Sequence, residues 1–138
     1  WASIRELPTT LRAAVVSKPF GTGIANSWQL VIEDDGRPTF FSSTDGDLNF
    51  LSGNDPLPTG QFVHLAISWD GATKRLYVAG QLVGASTAEI LFTTDPVIIG
   101  ADLDNQSPGA RFDGLIDEVQ IYSRALSDAE LAALAERP

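Results

Sequence analysis

Oxygen ligands dominate the residues that could do chemistry. Asp102, Asp104 and Asn105 fall inside the acidic stretch of residues 101–109. Alternate side chains of this kind converge on one cation when the backbone loops around it. Ca2+ takes six to eight oxygens at about 2.3–2.6 Å, so the stretch is a candidate calcium site. The alternative is a solvated turn in which Asp and Asn bond to their own backbone. Asp117 is the second candidate. In a strand over residues 115–122, Leu115, Asp117, Val119 and Ile121 share one face. A carboxylate on that apolar face must be paired, hydrogen-bonded or metal-bound.

Catalytic arrangements are missing. His64 is the only histidine and cysteine is absent, which removes thiol catalysis, disulfides and Cys-based zinc sites. A lone His64 without a partner at a cleft reads as a packed, hydrogen-bonded core residue. Retaining glycosidases place their two carboxylates about 5–5.5 Å apart, in sandwich glucanases as E-x-D-x-x-E or E-x-D-x-E on one strand. No such string occurs here. Neither do G-x-S-x-G, the P-loop or H-E-x-x-H. The chain reads as a non-enzyme.

Nine Lys and Arg stand against eighteen Asp and Glu, a net charge of −9. That surface repels phosphate backbones and anionic lipid, which argues against nucleic-acid and membrane partners. No apolar run approaches the roughly 20 residues needed to span a bilayer. Sugars stack on aromatic faces. Trp28, Trp69, Tyr77, Tyr122, Phe40 and Phe41 are candidates for such a platform. Most aromatic residues in a domain of this size fill the core. Phe40 and Phe41 are adjacent, so they face opposite sides of their strand and one of them is expected outside the core.

The elements that must position these residues are short strands between Gly, Asp, Asn and Pro turns. Expected strands cover residues 28–33, 37–42, 62–69, 74–79, 81–83, 89–92, 97–99 and 115–122. Asp34-Asp35-Gly36, Asp70-Gly71 and Ala79-Gly80 are turns, and a short strand over residues 48–51 interrupts a polar stretch. Ser127-Asp128-Ala129-Glu130 is a capping box that opens one short C-terminal helix, with Leu126, Leu131 and Leu134 on its apolar side. The length, 138 residues, suits one domain.

Two segments carry a family resemblance. Residues 61–71, continuing through Arg75-Leu76-Tyr77-Val78-Ala79-Gly80, resemble the strand, Asp-Gly turn and "LYVDG" hairpin of laminin-G-like domains. Residues 112–127, beginning Phe112-Asp113-Gly114-Leu115-Ile116-Asp117-Glu118-Val119, resemble the closing strand and helix start of the same family. Ile98-Ile99-Gly100 is similar to its "xIG" strand, and Val15-Val16-Ser17-Lys18 to its "IVSK" strand. The resemblance implies a concanavalin A-like jelly roll, an all-β sandwich of two antiparallel sheets with one short C-terminal helix. It also implies a further strand upstream of Trp1 that pairs near the last one.

Such folds host lectins, adhesion modules and glucanases, so fold alone does not decide function. Pentraxins, which share the fold, are similar in placing acidic and amide ligands for Ca2+ after the equivalent "IG" strand. The resemblance thus adds weight to Asp102, Asp104 and Asn105. For Asp117 it favours a structural role, or a Ca2+ shared with the upstream strand. The expected protein is a binding module of a larger secreted or cell-surface protein, recognising a glycan with Ca2+ assistance. The alternative is a protein-interaction or structural adhesion module that takes an extracellular protein. An uncovered strand edge would also permit oligomerisation or strand exchange.

Overall fold

In a computed structural model, residues 1–18, 27–44, 47–90, 94–104 and 107–136 are described, without the side chains of residues 104 and 107. Thirteen strands and one helix follow in chain order among them. The larger layer is a five-stranded antiparallel sheet. It is built from β2 (Arg12–Lys18), β3 (Ser27–Glu33), β4 (Pro38–Thr44), β5 (Asp47–Ser52) and β10 (Ile98–Ile99), in the order β10-β2-β3-β4-β5. Facing it is a layer in two pieces. One is β7 (Leu65–Trp69), β8 (Lys74–Val78) and β9 (Gln81–Ser86). The other is β13 (Gly114–Ile116), β1 (Ala2–Ile4) and β6 (Phe62–Val63). A two-stranded hairpin, β11 (Asp102–Asp104) and β12 (Ser107–Gly109), stands apart.

Alternation drives this arrangement. In the large sheet, Val16, Leu30, Phe40 and Leu51 lie in one cross-strand row on the inner face. They join Ala2, Ile4, Ile32, Leu76 and Ile90 in a single core cluster. The β3–β4 hairpin turns at Gly36, whose φ of +86° only glycine adopts without strain. Ala79 and Gly80 both take positive φ in the two-residue turn between β8 and β9, the geometry that matches strand twist.

The helix α1 (Asp128–Ala135) carries both halves of the expected capping box. It buries Leu131 and packs so closely on the β8–β9 turn that a Cβ at Gly80 would lie 2.9 Å from Ala135. Gly114 answers to a similar constraint: its missing Cβ would sit 2.1 Å from the Ser3 carbonyl on the paired strand β1.

Several expectations need correction. The strand over residues 62–69 breaks at His64, where the chain leaves β1's company for that of β8. Residues 89 and 90 lie in no strand, and residues 91 and 92 fall outside the described set. The long last strand is only Gly114–Ile116. Glu118 takes φ +50°, which breaks the ladder, and residues 117–126 join no sheet. Phe40 and Phe41 do face opposite sides, yet both are buried, because the outer side of β4 has a small apolar cluster of its own. The short strand expected over residues 48–51 is present and longer, as the edge strand β5.

Candidate functional site

The outer face of the five-stranded sheet carries polar and aromatic groups, most of them buried, Ser17, Gln29, Thr39 and Ser43 among them; Leu48, Phe50 and Ser52 reach solvent, and Arg12 and Glu33 are half-buried. Strand register sets them out in rows. Arg12 pairs with Glu33. Ala14, Val31, Thr39 and Ser52 form the next row, then Ser17, Gln29, Phe41 and Phe50, then Ser27, Ser43 and Leu48. Phe41 is the buried centre. The Phe50 ring meets it edge-on at 4.6 Å, and the Arg12 guanidinium lies 4.2 Å from its centroid. Phe50 itself is 55% exposed on edge strand β5, with Leu48 exposed beside it. The outcome is an aromatic ledge with a cation and a carboxyl group at one end.

Polar contacts hold that end in place. Thr39 Oγ1 donates to Ser52 Oγ at 2.9 Å. Burial pushes the Glu33 carboxyl above its ordinary pKa, while Arg12 and a hydrogen bond with Thr39 pull it back. The opposite border is the β11–β12 hairpin. Ser17 Oγ donates to the Ala101 carbonyl at 3.0 Å, and the Ala14 amide donates to the Ala110 carbonyl at 2.7 Å. Ala110 then packs against Ala14, Val31 and Phe41 and roofs part of the face.

Two buried oxygens near this face, Ser43 Oγ and Asp102 Oδ1, have no hydrogen-bond partner. Orphaned buried oxygens are costly, and they are the groups a bound donor or cation would satisfy. The stretch expected to be an acidic loop is therefore a hairpin, with Asp102 on β11 and one carboxylate oxygen unpartnered. Asp104 ends the same strand, and Asn105 lies outside the described residues. Asp117 differs from expectation. Its side chain is exposed, and its Oδ1 accepts the Glu118 amide at 2.8 Å. The face it was expected to share is open too, with Leu115 at 60% and Ile121 at 71% exposure. Among the described residues no three His, Cys, Asp or Glu side chains are grouped as a cation would need.

His64 is packed, with its ring edge-on to Trp1 at 5.5 Å, but its Nδ1 has no hydrogen-bond partner. Burial and the nearby amino terminus hold its pKa below the ordinary value. A groove of about 960 Å³ opens between the layers beside it, lined by Trp1, Leu65, Ile67, Val119, Ile121 and Leu126 among others. Trp69, Tyr122, Asp70, Gln120 and Arg124 also line it, so the groove is mainly apolar with polar groups among its walls. No described helix is long and apolar enough to cross a membrane.

Two antiparallel layers around one core, capped by a short helix, define a jelly-roll sandwich. The family model of the concanavalin A-like lectin/glucanases superfamily matches residues 1–132, and the chain belongs to that superfamily. Among solved structures, it is similar to the CBM40 of the Ruminococcus gnavus IT-sialidase. The TM-score is 0.78 and the identity 22%, with 99% of this chain and 80% of that chain covered. The same domain bound to alpha2,3 sialyllactose gives 0.77 and 22%, covering 97% and 79%. An S-layer domain-containing protein from Clostridium thermocellum ATCC 27405 gives 0.53 and 25%, covering 94% and 65%. No match was found among curated proteins.

The residue that sequence reasoning missed is Phe50. Its signal is the alternation Leu48, Phe50, Ser52 against Asn49 and Leu51, in the short strand expected over residues 48–51.

Proposed function

We propose that this chain is a non-catalytic carbohydrate-binding module whose sugar site is the outer face of the five-stranded sheet. The observation that carries the reading is the exposed Phe50 ring braced on Phe41, with Arg12 and Glu33 at the same end. An aromatic ledge takes the apolar face of a pyranose ring, and the half-buried Arg12 and Glu33 beside it take its hydroxyls. The CBM40 structures bound to alpha2,3 and alpha2,6 sialyllactose support a glycan as the ligand. A secreted or surface-associated parent protein fits that role.

Ca2+ is part of the proposal at the hairpin. Asp102, with Asp104 and Asn105, would hold the ion and stiffen the border of the face. The unpartnered Oδ1 of Asp102 supports this. Asp117 follows β13 and lies outside the hairpin, so it is not a member of this set. A glycan array run with Ca2+ and with EDTA tests both parts. Sugar binding that EDTA weakens is expected. Binding indifferent to EDTA removes the ion, and an array without any bound glycan removes the sugar and favours a protein ligand.

A further inference from the structure

We propose that β5 pairs with β5 of a second copy of this chain, antiparallel across a two-fold axis at Asn49, and that Leu48 of the second copy extends the ledge at Phe50. The shared ledge rests on the sugar site proposed above; the strand pairing does not.

The edge itself carries the argument. β5 closes one end of the five-stranded sheet and pairs with β4 along its whole length without a register shift. It contains no Lys, Arg or Pro, and its single charged residue is Asp47 at the start. Natural edges are blunted by such residues, by bulges or by shortness. The other end of this sheet is blunted by shortness, since β10 has two residues. One bond sets the direction of the backbone groups. Gly53 N donates to the Pro38 carbonyl at 2.8 Å, one step beyond the Thr39–Ser52 pair. Antiparallel bonding alternates, so Asp47, Asn49 and Leu51 bond to β4. The N–H and C=O groups of Leu48, Phe50 and Ser52 point out from the sheet.

The register of the second copy follows. Opposed side chains share a face, so the axis passes at a residue and not between two. The Ser52 end lies against β9, where a Cβ at Gly84 would sit 3.6 Å from the Ser52 carbonyl. Leu48 and Phe50 are left, and an axis at Asn49 sets each opposite the other in the second copy. Each such pair exchanges two backbone bonds, about four in all. Leu48 is 43% and Phe50 55% exposed, and they meet as two apolar cross-strand pairs on the outer face. The two Asp47 residues fall on opposite sides of the axis, about 14 Å apart at 3.4 Å per residue, so like charges do not meet. The Asn49 side chain turns inward, its Oδ1 accepting from Ser86 Oγ at 3.3 Å. A second copy fits better than a foreign strand because one segment supplies both halves of every contact. The product is a continuous sheet of ten strands with two Phe50 ledges on the same face, an arrangement for a branched or repeating glycan.

Sedimentation velocity without sugar tests the pairing, at about 0.15 M salt, where the −9 charges of the two copies are screened beyond about 8 Å. A monomer–dimer equilibrium is expected over about a hundredfold range of concentration. Leu48→Lys should weaken it about tenfold or more, by placing a charge opposite Phe50. Hydrogen exchange on the unaltered protein reads the same edge. The Leu48 and Phe50 amides should exchange about tenfold more slowly at the high end of that range than at the low end, with Asn49 and Leu51 unchanged. A chain that stays monomeric overturns the proposal. So does a dimer that leaves both amides unprotected or ignores Leu48→Lys. None of these results touches the glycan array, whose failure removes the sugar and leaves the pairing. On a surface coated with the strongest glycan of the array, the unaltered protein should bind about tenfold or more tighter than Leu48→Lys. Equal binding contradicts the shared ledge.

Discussion

Lys74 on β8 reaches across the sandwich interior and donates a hydrogen bond from Nζ to Ser42 Oγ on β4. The lysine is fully buried, its ammonium lies 5.8 Å from the Phe40 ring centroid, and no carboxylate forms an ion pair with it among the described residues. Desolvation lowers its pKa to about 8. This residue ties the layers together at a cost in free energy.

Lys74→Met should therefore stabilise the protein at pH 7, by about 1–3 kcal/mol in chemical denaturation. The sign with pH follows from linkage. Below pH 8 both folded and unfolded states carry the charge, and the folded state bears the full burial penalty. Between pH 8 and the ordinary value of 10.5 the unfolded state holds more protons, so stability rises with pH. The substitution should remove that rise.

His64 makes the opposite end of the pH range informative. Its folded pKa lies below 6.5, so its share of the stability is present above pH 6.5 and is lost as pH falls through the folded value. Proton NMR of the imidazole should give a midpoint below 6.5, and His64→Leu should flatten the loss of stability between pH 6.5 and 5. An imidazole titrating at or above 6.5 would contradict its burial against Trp1.

The turn between β8 and β9 is a third test. Gly80 has φ +76° and no room for a Cβ beneath the helix, so Gly80→Ala should destabilise by about 1–3 kcal/mol. Ala79 holds φ +48° without being glycine. Ala79→Gly should stabilise by about 0.5–1 kcal/mol, since the strain falls on the same turn. Thermal denaturation of the two variants should give shifts of opposite sign.

The helix cap is the fourth. Ser127 Oγ accepts the Glu130 amide, and the Glu130 carboxylate accepts the Ser127 amide at 2.8 Å. Hydrogen bonds from Arg124 and Ser127 hold the Glu130 carboxyl down at about 2. Ser127→Ala should cost about 1 kcal/mol, seen as earlier exchange of the α1 amides. An unchanged helix would mean that packing of Leu131 alone holds it.

Local patterns were legible where they needed only local physics. Alternation marked β3, β4 and β8, the Asp-Gly turns marked their ends, and Ser127 with Glu130 marked the helix start. What alternation cannot report is which neighbour lies alongside. Residues 115–122 alternate as a strand should, yet pairing stops after Asp117, whose amide and carbonyl still bond to Trp1, because Glu118 turns to positive φ. The same limit hid the site. Phe50 becomes a ledge only because β5 pairs with β4 in the register that sets it on Phe41, and alternation alone does not report that register. Arg12 and Glu33 come together through the β2–β3 register in the same way. Lys74 reads as an exposed residue from its type alone, and only the packing of two layers buries it.

The central claim is that the outer face of the large sheet holds a sugar, and Phe50→Ala tests it most directly. Isothermal titration with the strongest glycan from the array should show affinity falling roughly tenfold or more, the equivalent of about 1.4 kcal/mol. Tm should hardly move, because the ring is more than half exposed. Undiminished binding by the Phe50→Ala protein, with its fold intact, would place the sugar elsewhere and contradict the account.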